Sequence, residues 1–172
     1  YTVNVGDSRS FLQYVDEQTG KICYCPISTI HAPDIESESL RIRSHGGYIR
    51  SYHPLAYDFS NARVYSDSDC RIGGLAMSRS IGDIDLRRCG VISDPDIYET
   101  DLRKKQVHAI LFGSDGLTTF YGPDRCFARL QSKGTAEEGL ERLICDCYKD
   151  SYESSRRCYV DDMSGIYIEL CH

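Results

Sequence analysis

No stretch of this sequence is long and apolar enough to cross a bilayer. Runs such as Ala109-Ile110-Leu111-Phe112 fall far short of the ~20 residues a helical span requires, so no membrane partner is expected. A basic excess is also missing. The chain has 20 Lys and Arg against 26 Asp and Glu, a formal net charge of −6 with no basic stripe. That balance argues against nucleic acid as a primary partner and is compatible with cation binding. Cys-x2-Cys pairs are lacking, although nine cysteines stand at 23, 25, 70, 89, 126, 145, 147, 158 and 171. Their spacing fits no zinc site well, and they read as reduced, small apolar residues of an intracellular protein, cytoplasmic or nuclear, rather than as a metal or disulfide framework. No internal repeat or low-complexity tract is present. There is no initiator Met, basic n-region or apolar h-region either. Tyr1 runs directly into a strand-like segment, so the chain reads as part of a longer one.

What is there suits one globular domain over residues 1–172, with 41% hydrophobic and 27% charged residues. Thr2–Val5, Arg9–Val15 and Lys21–Cys25 alternate as strands of an antiparallel meander, broken by Gly6-Asp7-Ser8 and by the turn residues 16–20. Asp34 is the expected N-cap of a short helix that reaches Ile42 and stops at Gly46-Gly47. Tyr48–Arg50 reads as a strand. Residues 51–71 are polar and aperiodic, so a surface loop or flap is expected there. Val107–Phe112 is an apolar strand. Pro123 opens one helix, and Thr135-Ala136-Glu137-Glu138 is a capping box opening a second, with Leu140, Leu143, Ile144 and Cys147 on one face. A polar loop is expected at Ser151–Arg157, and Met163–Leu170 closes the chain as a strand. Strands, then two helices, then a strand point to an α+β fold.

Three Asp-containing turns share one placement. Asp7 follows the first strand, Asp115 follows Val107–Phe112, and Asp161-Asp162 precede the last strand. If the last two strands pair antiparallel, Asp115 and Asp161 fall at the same sheet edge, where Asp7 can join them. Clustered carboxylates repel unless a cation compensates, and hard divalent ions prefer oxygen ligands. Each turn taken singly is ordinary turn chemistry, and spacing alone leaves a structural role as good an account as a metal site.

At these residues the chain resembles the metal-dependent Ser/Thr protein phosphatases of the 2C type. Asn4-Val5-Gly6-Asp7-Ser8-Arg9 is similar to the family's N-x-G-D-S-R segment. His31-Ala32-Pro33, Glu38, Arg41-Ile42 and Gly46-Gly47 resemble its D-H-K-P…E…R-I…G-G block. Leu75–Asp83 resembles L-A-V-S-R-A-I-G-D, and Val91–Ile97 resembles V-I-x-x-P-x-V. Leu111–Leu117 and Asp161–Ser164 resemble the strand entering S-D-G and the D-N-M-T/S segment. Six blocks in chain order are highly specific.

The resemblance implies an antiparallel β-sandwich flanked by helices in four αββα layers, incomplete here at its N-terminus. It also implies hydrolysis of phosphoserine and phosphothreonine in protein substrates by in-line attack of water at a centre of two or three Mg²⁺ or Mn²⁺ ions. By position, Asp115 and Asp161 match metal ligands, and Asp7 matches the Asp that helps hold a weaker third ion. Asp83 reads as structural. Beyond these ligands no catalytic residue is implied within the chain, and a monomer is the default expectation.

The departures are specific. Residues 1–172 contain no Asp-Gly-His-Gly, and the Arg that binds substrate phosphate in the family has no counterpart here. Thr118-Thr119 replaces the Trp-Asp after S-D-G, which removes a carboxylate associated with metal binding. Ile30 and Asp162 replace an Asp and an Asn. A catalytically inactive binding or scaffolding module of the same fold is therefore the alternative reading.

Overall fold

The computed structural model describes residues 1–51, 62–104, 106–132, 134–155 and 160–170. The chain divides into two compact units. One comprises Tyr1–Thr2, Ser8–Ser28 and Ile97–His172, and the other Val3–Asp7 and Thr29–Asp96.

The larger unit is built on a four-stranded antiparallel sheet in the order β3-β2-β8-β9, formed by β2 (Arg9–Val15), β3 (Ile22–Pro26), β8 (Gln106–Gly113) and β9 (Gly165–Glu169). Strand alternation decides which residues meet the helices. Phe11, Ala109 and Leu111 are buried against α4 (Pro123–Leu130) and α5 (Ala136–Ser154), together with Tyr121, Cys126, Phe127, Leu130, Leu143 and Cys147. Phe127 stacks on Tyr24 at 5.4 Å between ring centroids. Buried Gln13 is satisfied by exchanging amide hydrogen bonds with Gln131. The expected capping box is present: Thr135 Oγ1 accepts from Glu138 N, and the Glu138 carboxylate accepts from Thr135 N. Such a cap stabilises a helix by about 1 kcal/mol. Tyr121 ties the helices together, donating to Asp150 Oδ2 at 2.6 Å beneath the Arg125 guanidinium, 4.0 Å from its ring.

The smaller unit holds the antiparallel sheet β4-β5-β6, made of Tyr48–Ser51, Ala62–Tyr65 and Gly73–Leu75. Ile42 of α1 (Glu36–Ser44), Val64, Leu86 of α2 (Ile84–Arg87), Cys89 and Val91 form its core.

Antiparallel sheets with separate helices are the expected α+β class. Local expectations change in four places. β1 (Thr2–Asn4) does not continue the meander but forms a two-stranded ladder with β7 (Asp96–Tyr98). Asp34 is exposed, and α1 begins after Ile35 with no side-chain cap. The expected loop over 51–71 contains strand β5, whose Ala62, Val64 and Tyr65 are buried; residues 52–61 lie outside the described residues. The loop expected at Ser151–Arg157 starts late, because α5 runs on to Ser154. The seven described cysteines are free thiols. Burial pushes Cys126 up to about 12 and Cys147 up to about 11, so neither is a reactive thiolate near neutral pH.

Candidate metal centre

Strands β8 and β9 pair antiparallel from Ala109↔Glu169 to Gly113↔Gly165, so the end of one meets the start of the other. Just past that end, Ser114 continues the pairing with its side chain. Ser114 N donates to Ser164 O at 3.0 Å, and Ser164 N donates back to Ser114 Oγ at 3.0 Å. Ser114 Oγ–H in turn donates to Asp162 O at 3.2 Å. The clasp fixes the two Asp turns against each other. Asp115 lies in the first turn of α3 (Asp115–Thr118), with Oδ1 accepting from Gly116 N at 2.8 Å. Asp161 Oδ1 accepts from Asp162 N at 2.9 Å. Both carboxylates therefore have one oxygen oriented by the next backbone amide.

Gly116 makes this closeness possible. A Cβ built on it would stand 2.5 Å from Asp162 O and 3.1 Å from Asp161 Cβ. Gly116→Ala must push the Asp161-Asp162 turn away from Asp115, at about 1–3 kcal/mol of overpacking. A lowered melting temperature, with displaced Asp161 and Asp162 amide resonances, is the expected result. An unchanged spectrum would show that the turns do not touch there.

The sequence thus placed Asp115 and Asp161 at one sheet edge, and the structure brings those two together. Asp7 belongs to the smaller unit, where it is half-buried after Gly6. Thr119 lies one helical turn after Asp115 and donates its amide to Asp115 O at 2.8 Å. Asp83 is exposed, sits at φ 45° and caps α2 through its backbone alone. Among the described residues, no group of three or more His, Cys, Asp or Glu is gathered to hold a metal ion. The donor set at the β8–β9 edge is two hard carboxylates, which suits a divalent ion that keeps several waters.

Sequence reasoning left a second group of residues without a role. Glu38, only 2% exposed, accepts from Arg41 Nη2 at 2.7 Å, Arg79 Nη2 at 2.7 Å and Ser78 Oγ at 2.5 Å. Arg79 also reaches Asp96 Oδ1 at 2.9 Å. Burial would raise the Glu38 carboxyl, but the bonds from Arg41, Arg79 and Ser78 outweigh it and hold it well below the usual carboxylate range. The Glu and both Arg residues were visible as motif letters. The (i, i+3) spacing of Glu38 and Arg41 on one helix face allows that pair, but nothing in the spacing showed that Arg79 meets them.

Residues 1–152 match the family described as Protein phosphatase 2C. The human integrin-linked kinase-associated serine/threonine phosphatase 2C is 35% identical over 181 aligned residues, covering 100% of this chain and 42% of that protein. The probable protein phosphatase 2C 72 of Arabidopsis thaliana is 28% identical, covering 97% of this chain and 49% of that protein. The chain thus spans less than half the length of these curated relatives. Among solved structures, a serine-threonine phosphatase 2C from Toxoplasma gondii superposes with a TM-score of 0.75 at 20% identity, over 96% of this chain and 52% of the other. With the ordered motifs and these matches together, the chain belongs to the protein phosphatase 2C family.

Proposed function

We propose that this chain is part of a metal-dependent protein serine/threonine phosphatase acting on phosphoproteins. The observation that carries the reading is the Ser114 clasp, which sets Asp115 and Asp161 side by side at the β8–β9 edge. Family membership supports it. The family match also runs through both compact units, which supports reading them as parts of one domain.

In this reading Asp115 and Asp161 hold Mg²⁺ or Mn²⁺, and Asp7 contributes to a further ion. Such ions lower the pKa of water and neutralise charge on a transferring phosphoryl group. The chain's own part is placement. The Gly116 and Asp162 amides orient one oxygen of each carboxylate, the clasp prevents the turns from separating, and Gly116 leaves room for their approach. Preorganised ligands of this kind need no rearrangement when charge develops.

Thr119 favours a second reading, a binding module without turnover. It puts a hydroxyl one turn from Asp115, where a carboxylate would join the same face. Thr119→Asp tests both. In a chain extended upstream to the relatives' length, it should lower the Mn²⁺ concentration needed for half-maximal hydrolysis of a phosphothreonine peptide several-fold, because a charged oxygen binds a hard cation better than a neutral one. If neither version turns over at millimolar Mn²⁺ with an upstream Asp-Gly-His-Gly present, the binding-module reading replaces the enzyme.

A further inference from the structure

The loop that carries Asp7 is built around a buried histidine to which the family resemblance gave no task. His31 is 1% exposed, and both polar backbone atoms of Gly6 end on it. Gly6 N donates to His31 Nδ1 at 3.0 Å, and Gly6 O accepts from His31 N at 3.0 Å. Asn4 Nδ2 reinforces the same carbonyl at 3.1 Å while also holding Thr29 O at 2.7 Å. Gly6 itself is at φ +108°, a backbone state that side chains rarely adopt, and a Cβ on it would meet Met77 Sδ at 3.5 Å. The turn into Asp7 therefore takes a backbone geometry open to glycine and is clamped on both sides by residue 31.

The clamp selects one state of the ring. The Gly6 amide has only a hydrogen to give, so Nδ1 must be the unprotonated nitrogen and the proton must sit on Nε2. Nε2 lies 3.3 Å from Asp96 Oδ2, without an aligned hydrogen bond. Asp96 is fixed by Arg79 at 2.9 Å, and Arg79 by Glu38 at 2.7 Å. Ser78 N donates to His31 O at 2.7 Å, so the segment before Arg79 grips the histidine backbone as well. A charged chain from Glu38 thus faces the far side of the ring, and the near side faces the amide that precedes Asp7. A histidine kept only to fill a core needs neither this tautomer nor this direction.

We propose that His31 is the positioning residue of the Asp7 turn, accepting the Gly6 amide at a neutral Nδ1 and so setting where the Asp7 carboxylate leaves the backbone. The inference rests on the reading of Asp7 as a ligand only for its functional consequence.

The ¹⁵N-labelled chain tests the geometry directly. A through-hydrogen-bond nitrogen–nitrogen coupling between the Gly6 amide and His31 Nδ1, with the ring proton on Nε2, is expected. Its absence, or a proton on Nδ1, overturns the proposal. Two substitutions then separate positioning from packing. In His31→Asn the side-chain oxygen takes the place of Nδ1, whereas in His31→Gln the amide group reaches the place of Nε2 and leaves Nδ1 unreplaced. Exchange of the Gly6 amide with solvent should be about tenfold faster in the Gln variant than in the Asn variant, the loss of roughly one hydrogen bond. The Asp7 amide resonance should shift in Gln and return towards the native position in Asn. Equal exchange and equal shifts in the two variants would make His31 a core filler and end the proposal. Adding Mn²⁺ to the native chain separates the two levels: an Asp7 amide that never broadens removes Asp7 as a ligand, while the coupling and the exchange ratio still decide the role of His31.

Discussion

Asp161→Asn, in a chain extended to the relatives' length, is expected to abolish metal-dependent turnover while the fold stands. Asn keeps the oxygen that accepts from Asp162 N at 2.9 Å, so the turn retains its internal bond. What disappears is one negative charge. Asp161 is exposed, and surface replacements of this kind change stability by about 0.5 kcal/mol or less. Without a cation, removing one of two neighbouring carboxylates even relieves repulsion. With a cation, a neutral amide is a poor ligand for a hard ion, and losing a group matched to developing charge costs about 10²-fold or more in rate. Asp115→Asn should behave alike, since its oxygen still accepts from Gly116 N. Phosphopeptide hydrolysis and the thermal melt are measured together. Activity within a few-fold of the native chain for either variant would remove that carboxylate from the ligand set.

Glu38→Gln has the largest expected effect on stability. The carboxylate sits among Arg41, Arg79 and Ser78, with the Arg41 and Arg79 side chains only 20% and 15% exposed. The substitution leaves two largely buried guanidiniums short of their shared anion and turns amide hydrogens toward donors. Breaking such a buried network by removing one partner costs about 3–5 kcal/mol. Arg79 keeps Asp96 and Arg41 keeps the Gly90 and Ser78 carbonyls, which places the loss at the lower end of that range. Urea unfolding followed by far-ultraviolet circular dichroism should show the midpoint fall. The pH dependence carries the same signature. The folded carboxyl lies below its ordinary value of 4.5, so its contribution is complete above that pH and is lost as pH falls toward the folded value. Glu38→Gln should flatten the acid side of the stability curve. An unchanged midpoint and an unchanged acid side would show that the network contributes nothing net.

Strong local signals carried the fold where they existed. The apolar run Val107–Phe112 became β8, and the capping box at Thr135 opened α5 as expected. The adjacency of Asp115 and Asp161 was legible because it needed only one assumption, antiparallel pairing of the last two strands, which the β8–β9 register meets. Other features had no local signal. The end of α5 is polar at Ser151–Ser154 because that turn faces mainly outward, with Tyr152 and Glu153 exposed, so no apolar period marked it. Strand β5 is four residues long inside a polar stretch and is held by its neighbours β4 and β6 rather than by composition. β1 pairs with a strand far along the chain, whereas a meander is the economical reading of three successive strands. The Glu38–Arg79 contact spans 41 residues, and the His31–Gly6 contact spans 25. Pairings of that kind follow from tertiary folding, and no spacing rule encodes them.

The proposed joint holding of a divalent ion by Asp115 and Asp161 is tested most directly by adding Mn²⁺ stepwise to the ¹⁵N-labelled 172-residue chain. Paramagnetic broadening should strike the amides of Asp115, Gly116, Asp161 and Asp162 at the same low concentration, and Asp161→Asn should weaken the effect at Asp115 and Gly116 as well as at its own turn. Broadening of one turn without the other, or an Asp115 response unchanged in Asp161→Asn, would contradict a shared ion at this edge.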